Sequence, residues 1–166
     1  MKLEEIMEKT KEPGTYAGYR YNKDDVKLIS KYANDAGIPH PLNPNKMHTT
    51  LLYSKKPCPD YEPLGKLEPP IEAKLGKFDV WKTQDGKNAL VLNLIAPKMV
   101  KRHKDLMKEH GASYDYDEYK PHITVSYDVG DLDLKDLPDI ADTIDKLRAV
   151  EEYGEDLVMD WQNKGK

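Results

Sequence analysis

The sequence predicts an α+β chain built as two similar lobes. Two matched strands, one in each lobe, suggest one cleft built from two half-sites. Three observations predict this. A short segment is written twice, KMHTTLLYS at 46–54 and KPHITVSYD at 120–128. Both copies are rich in Thr, Tyr and aliphatic residues, so both read as strands. The chain around them runs in a partly shared order of strand, helix, motif strand and further strands. At 166 residues, the chain can bury one core, so 1–166 is expected to be a single bilobal domain with one half-site motif in each half.

In chain order, Pro13-Gly14 precede a first strand, TYAGYRY, at 15–21. Asp24 and Asp25 then open a helix to about Ala36, with Val26, Ile29, Tyr32, Ala33 and Ala36 on one stripe. Gly37 closes it and Pro39 prevents its continuation. After the first motif strand, the proline-rich, aperiodic stretch 57–70 reads as a loop. Two strands, 71–83 and 88–96, follow with a tight turn at Asp85-Gly86. The second, around ALVLNLIA, is the most apolar stretch and is expected in the middle of a sheet. Pro97 starts a second helix that ends near His110-Gly111, and the second motif strand comes next. Near the end, Ile140, Ile144, Leu147 and Val150 have helical spacing. The repeat argues instead that KLRAVEEYG is the counterpart of KLGKFDVWK, so a strand over 145–153 after a short helical turn is expected.

Within the motifs, Lys46, His48 and Thr50 pair with Lys120, His122 and Thr124. Side chains two apart share a strand face, so each Lys, His and Thr project together. The opposite face carries Thr49, Leu51 and Tyr53 in one copy and Ile123, Val125 and Tyr127 in the other, and it is expected to be buried. On these residues the chain resembles the two-histidine phosphoesterase superfamily, whose two lobes each contribute one His-x-Thr/Ser to a cleft. The resemblance covers roughly 14–155. It implies two antiparallel sheets with flanking helices, set around a central cleft by a pseudo-two-fold relation, with His48, Thr50, His122 and Thr124 as catalytic residues. More narrowly, GTYAGYRY, NKMHTTLLYS and EEYGEDL resemble the bacteriophage nucleases that counter CBASS immunity. That resemblance implies cyclic di- and trinucleotide substrates with 3′–5′ linkages.

Two imidazoles suit such chemistry. A histidine titrates near ~6.5 and serves as base or acid at neutral pH. Cleaving an RNA-type phosphodiester needs a base for the ribose 2′-OH and an acid for the leaving 5′-oxygen, each worth about 10²–10⁴ in rate. Thr50 and Thr124 are expected to donate hydrogen bonds to the non-bridging oxygens. Lys46 and Lys120 add positive potential, although a solvated strand end also accounts for them. Tyr16, Trp81 and Tyr153 are the candidate base-stacking residues, and Glu151 the candidate acceptor for a base amino group.

Composition bounds the alternatives. The net charge of −4 disfavours a protein that grips long nucleic acid through phosphates, while a compact nucleotide needs few positive groups. Charged residues make up 34% and hydrophobic residues 38%. No apolar run is of membrane-spanning length, and the acidic start MKLEEIMEKT is unlike a signal peptide. The single Cys58 reads as a free loop thiol, and a cytoplasmic setting follows. His40, His103 and His110 show no metal-ligand spacing, so no metal or cofactor is expected. His103 and His110 read as surface residues or as contacts at a helix C-terminus. Neither a Gly-x-Ser-x-Gly elbow nor a phosphate-cradling glycine loop occurs. An RNA-end 2′,3′-cyclic phosphodiesterase and a non-catalytic nucleotide sponge remain as alternative readings, and the oligomeric state stays open.

Overall fold

A computed structural model describes residues 13–113 and 118–157; the reading of segment 1–10 lies outside the described residues. Strand β1 (Gly14–Tyr21) leads into helix α1 (Lys23–Asp35), a 3₁₀ turn (Pro44–Lys46) and strand β2 (His48–Ser54). The hairpin β3 (Gly65–Lys82) and β4 (Asn88–Ile95) follows, then helix α2 (Pro97–His110) and β5 (His122–Ser126). A 3₁₀ turn at Ile140–Asp142 precedes the last strand, β6 (Lys146–Leu157). The helix boundaries have the expected causes. The Asn22 side chain accepts from the Asp24 and Asp25 amides at the start of α1. Gly37 and Gly111, both at positive φ, end the two helices. The repeat, and not the helical spacing, predicts β6 correctly.

The lobes do not carry separate sheets. All six strands form one antiparallel sheet in the order β2-β1-β6-β3-β4-β5. The long β3 joins them: its first part pairs with β6 and its second, from Lys74 onward, with β4. Residues 65–70, expected in a loop, are extended in β3, and Pro69 and Pro70 fall where the ladder to β6 slips between Lys66 and Ile71. Proline donates no ladder hydrogen bond, so it is tolerated at such an irregularity. Strand β4 is paired on both sides, with Leu90 and Leu92 fully buried. Helix α1 packs near β5 and β6, its Tyr32 stacks on Phe78 of β3 at 5.6 Å, and α2 packs on β2. No helix among the described residues is long and apolar enough to cross a membrane.

Twist and curl bring the two outer strands together. Thr49 Oγ1 donates to the His122 carbonyl at 2.9 Å, and Leu42 N to the Val125 carbonyl at 2.8 Å. The motif strands therefore stand at opposite ends of the hydrogen-bonded order yet touch in space.

Candidate active site

Each histidine begins its strand and is held the same way. His48 Nδ1 lies 2.9 Å from the Lys46 carbonyl and His122 Nδ1 2.9 Å from the Lys120 carbonyl. A carbonyl only accepts, so Nδ1 carries the proton in both rings and Nε2 is the nitrogen left for proton exchange. The Lys backbones, rather than their exposed ammonium groups, thus set the imidazole tautomers. Both lysines lie ahead of their strands, Lys46 in a 3₁₀ turn. His122 is half-buried, and its pKa is held below the ordinary imidazole value. Burial is the main cause and the nearby charge of His48 adds to it, against the raising effect of the Lys120 carbonyl.

Aromatic residues line both half-sites. Tyr16 hydrogen-bonds the Thr50 hydroxyl at 3.0 Å, and its ring stands 6.3 Å from that of His48. Trp81 meets His122 edge-on at 4.4 Å and donates Nε1–H to Asp79 at 2.9 Å. Thr124 is half-buried opposite Val91 on β4. Tyr153 lies across β1, where a side-chain carbon on Gly18 would come within 2.9 Å of its hydroxyl; only glycine leaves that space. The Arg20 guanidinium sits 3.9 Å over the Tyr153 ring and pairs with Glu151 at 2.9 Å. The structure therefore brings Tyr16 and Tyr153 to the His48 side, with Glu151 tied to Arg20 there, and Trp81 beside His122.

A family model described as anti-CBASS protein Acb1 matches residues 13–164. The anti-CBASS protein Acb1 of Vibrio phage KVP40 is 34% identical over 97% of both chains. That of Enterobacteria phage T4 is 33% identical over 89% of this chain and 91% of its own. The chain belongs to the anti-CBASS protein Acb1 family. A solved structure, TT0787 of Thermus thermophilus, aligns with a TM-score of 0.49 at 15% identity over 84% of this chain and 82% of that one.

Three expectations about this Acb1-family chain need correction. Tyr53 and Tyr127 do not face the core: Tyr53 is half-buried with its ring 6.5 Å from Tyr16, and Tyr127 is 52% exposed. The cause is a β-bulge in each motif strand, at Leu51 in β2 and at Val125 in β5. The extra residue shifts the alternation by one, so Leu51 with Leu52, and Val125 with Ser126, all point inward. His103 is likewise not at the surface. It is buried, its Nδ1 is 2.8 Å from the Leu51 carbonyl at the bulge, and it stacks on Tyr119 at 4.3 Å. Tyr119 in turn donates to the Thr50 carbonyl at 2.7 Å. Sequence reasoning missed Arg20, Thr49, His103 and Tyr119. Arg20 was accessible to it, since 16, 18 and 20 share a strand face; the others depend on contacts between distant segments.

Proposed function

We propose that the protein is a phosphodiesterase that opens the 3′–5′ bonds of cyclic di- and trinucleotides, removing the messengers of CBASS defence in the cytoplasm of a phage-infected host. The observation that carries this reading is the matched pair of imidazoles, each with Nδ1 tied to a backbone carbonyl and Nε2 left to exchange a proton. Family membership supplies the biological setting. In this mechanism one neutral imidazole takes the proton of the ribose 2′-OH, which attacks its own phosphorus. The other, protonated, donates to the departing 5′-oxygen, and the product carries a 2′,3′-cyclic phosphate. Burial favours the neutral form of His122, which suits it to be the base and leaves His48 as the acid. Thr50, anchored by Tyr16, and Thr124 donate to the non-bridging oxygens as charge gathers there. Because the two imidazoles supply both proton transfers, the reaction needs no metal.

The test is incubation with 3′,3′-cyclic diadenylate in EDTA, followed by product mass. Linear products ending in a cyclic or opened 3′-phosphate are expected. An unchanged ring would point to a sponge, and turnover that returns only with a divalent ion would overturn the two-histidine mechanism. The cyclic deoxy analogue, which lacks the attacking hydroxyl, should bind without being cleaved.

A further inference from the structure

A cavity of about 370 Å³ opens beside His48, and Lys46 and Tyr153 line it together with Arg20, Leu42, Asn45, Met47 and Tyr127. We propose that it is a nucleobase pocket in which the flat Arg20 guanidinium, rather than the Tyr153 ring, is the stacking surface, and Tyr127 a second aromatic wall. The proposal rests on the cyclic-nucleotide reading of the adjoining histidine site only for its choice of ligand.

Three observations carry it. The first is the fixing of the Arg20 plane. One face lies 3.9 Å over the Tyr153 ring and one edge is held by Glu151 at 2.9 Å, yet the side chain remains 55% exposed. A guanidinium pinned on one face and one edge has its other face left to offer, and such a plane stacks well on a base. The ion pair with Glu151 offsets the Arg20 charge, so a phosphate at this cavity would turn to Lys46, which also lines it, and leave the Arg20 plane to a base.

The second observation is Tyr127. Regular alternation along β5 would bury it, and the bulge at Val125 instead places it on the cavity wall. At 52% exposure, its ring keeps surface that a base seated in the cavity would cover. The third is the rest of the lining. Leu42 and Met47 give apolar contact, while the Asn45 side chain can present a donor and an acceptor side by side, as a base edge requires. His48 borders the same cavity, so a base seated there keeps its sugar and phosphate within reach of the imidazole.

Equilibrium binding of 3′,3′-cyclic diadenylate and 3′,3′-cyclic diuridylate, followed without reference to turnover, tests the pocket. The wild type should bind the purine ring more tightly. Arg20→Lys and Tyr127→Ala should each weaken diadenylate binding by about tenfold or more, and Tyr127→Phe should bind normally. The purine preference should shrink in Arg20→Ala. Both residues are exposed, so circular dichroism should show folded variants; should Arg20→Ala not fold, Tyr127→Ala carries the test. Full binding by Arg20→Lys would mean that a point charge suffices, and would overturn the stacking role in favour of a phosphate contact. Failure of the wild type to bind either ring would overturn the pocket itself. Tight, Arg20-dependent binding without cleavage would instead leave the pocket standing and refute the phosphodiesterase.

Discussion

The proposed mechanism gives His48 and Thr50 different work although they share one strand face. In the proposed mechanism the imidazole moves a proton, so His48→Ala and His122→Ala should each abolish turnover while cyclic diadenylate binds within about tenfold of the wild-type affinity. Residual cleavage by the double variant would place the chemistry elsewhere. Thr50 is expected to act through a hydrogen bond made in the transition state, so Thr50→Val should lower kcat by about 10²–10³. Tyr16→Phe removes only the hydroxyl that anchors Thr50, and a fall of up to about tenfold is expected. The pH–rate profile should be bell-shaped, because one ring must be neutral and the other charged. His122 sits below its ordinary value, so as the base it should stay active below about pH 6.5 before protonation ends turnover. An acid limb centred above that value would reverse the assignment of base and acid.

At the scale of elements, the two motif strands meet because β2 and the segment around β5 are clasped by side-chain hydrogen bonds rather than by a continuous ladder. Thr49 donates to the His122 carbonyl, Tyr21 supports Thr49 at 2.5 Å, and Tyr119 holds the Thr50 carbonyl. Displacements of about 1 Å are costly in such sites. Thr49→Val and Tyr119→Phe should therefore lower kcat more than they change KM, and Thr49→Ser should restore the rate. If melting temperature falls in these variants while kcat stays at the wild-type value, the clasp serves stability alone. The same clasp explains the errors made from sequence. Alternation places His48, Thr50, His122 and Thr124 correctly, up to the bulges. Beyond them it fails for Tyr53 and Tyr127, because a bulge is stabilised by partners such as His103 that lie elsewhere in the chain.

Across the whole molecule, a buried carboxylate ties the last strand to helix α2 and to the segment before β3. Glu152 is fully buried, accepts two 2.9 Å hydrogen bonds from Arg102, and takes others from the Tyr61 hydroxyl and the Leu64 amide. Glu152→Ala leaves a largely desolvated guanidinium without its partner and should cost about 3–5 kcal/mol in denaturant unfolding. Loss of the exposed Lys31–Asp35 pair should be barely measurable. Stability should also fall in mild acid. Burial lowers the pKa of His103 and of His122 in the folded state, so the unfolded chain takes up protons first. The loss should begin as pH drops through about 6.5 and be complete below the folded values. A melting temperature that is flat across this range would show that neither ring is held neutral by the fold.

The sequence by itself determined the α+β class, most strand and helix boundaries, and the two motif strands with their histidines. These are encoded locally, in periodicity, caps, turns and a repeated segment. Cys58, placed in a loop by its flanking prolines, is a free thiol there, but a buried one. Tertiary structure alone decided that the strands share one sheet, that its outer strands meet, and that both motif strands bulge. Each of these depends on pairings between distant segments, such as Thr49 with His122 and His103 with Leu51. Local propensity carries no record of which remote hydrogen-bond partner will be present, so it fixes the elements but not the cleft between them.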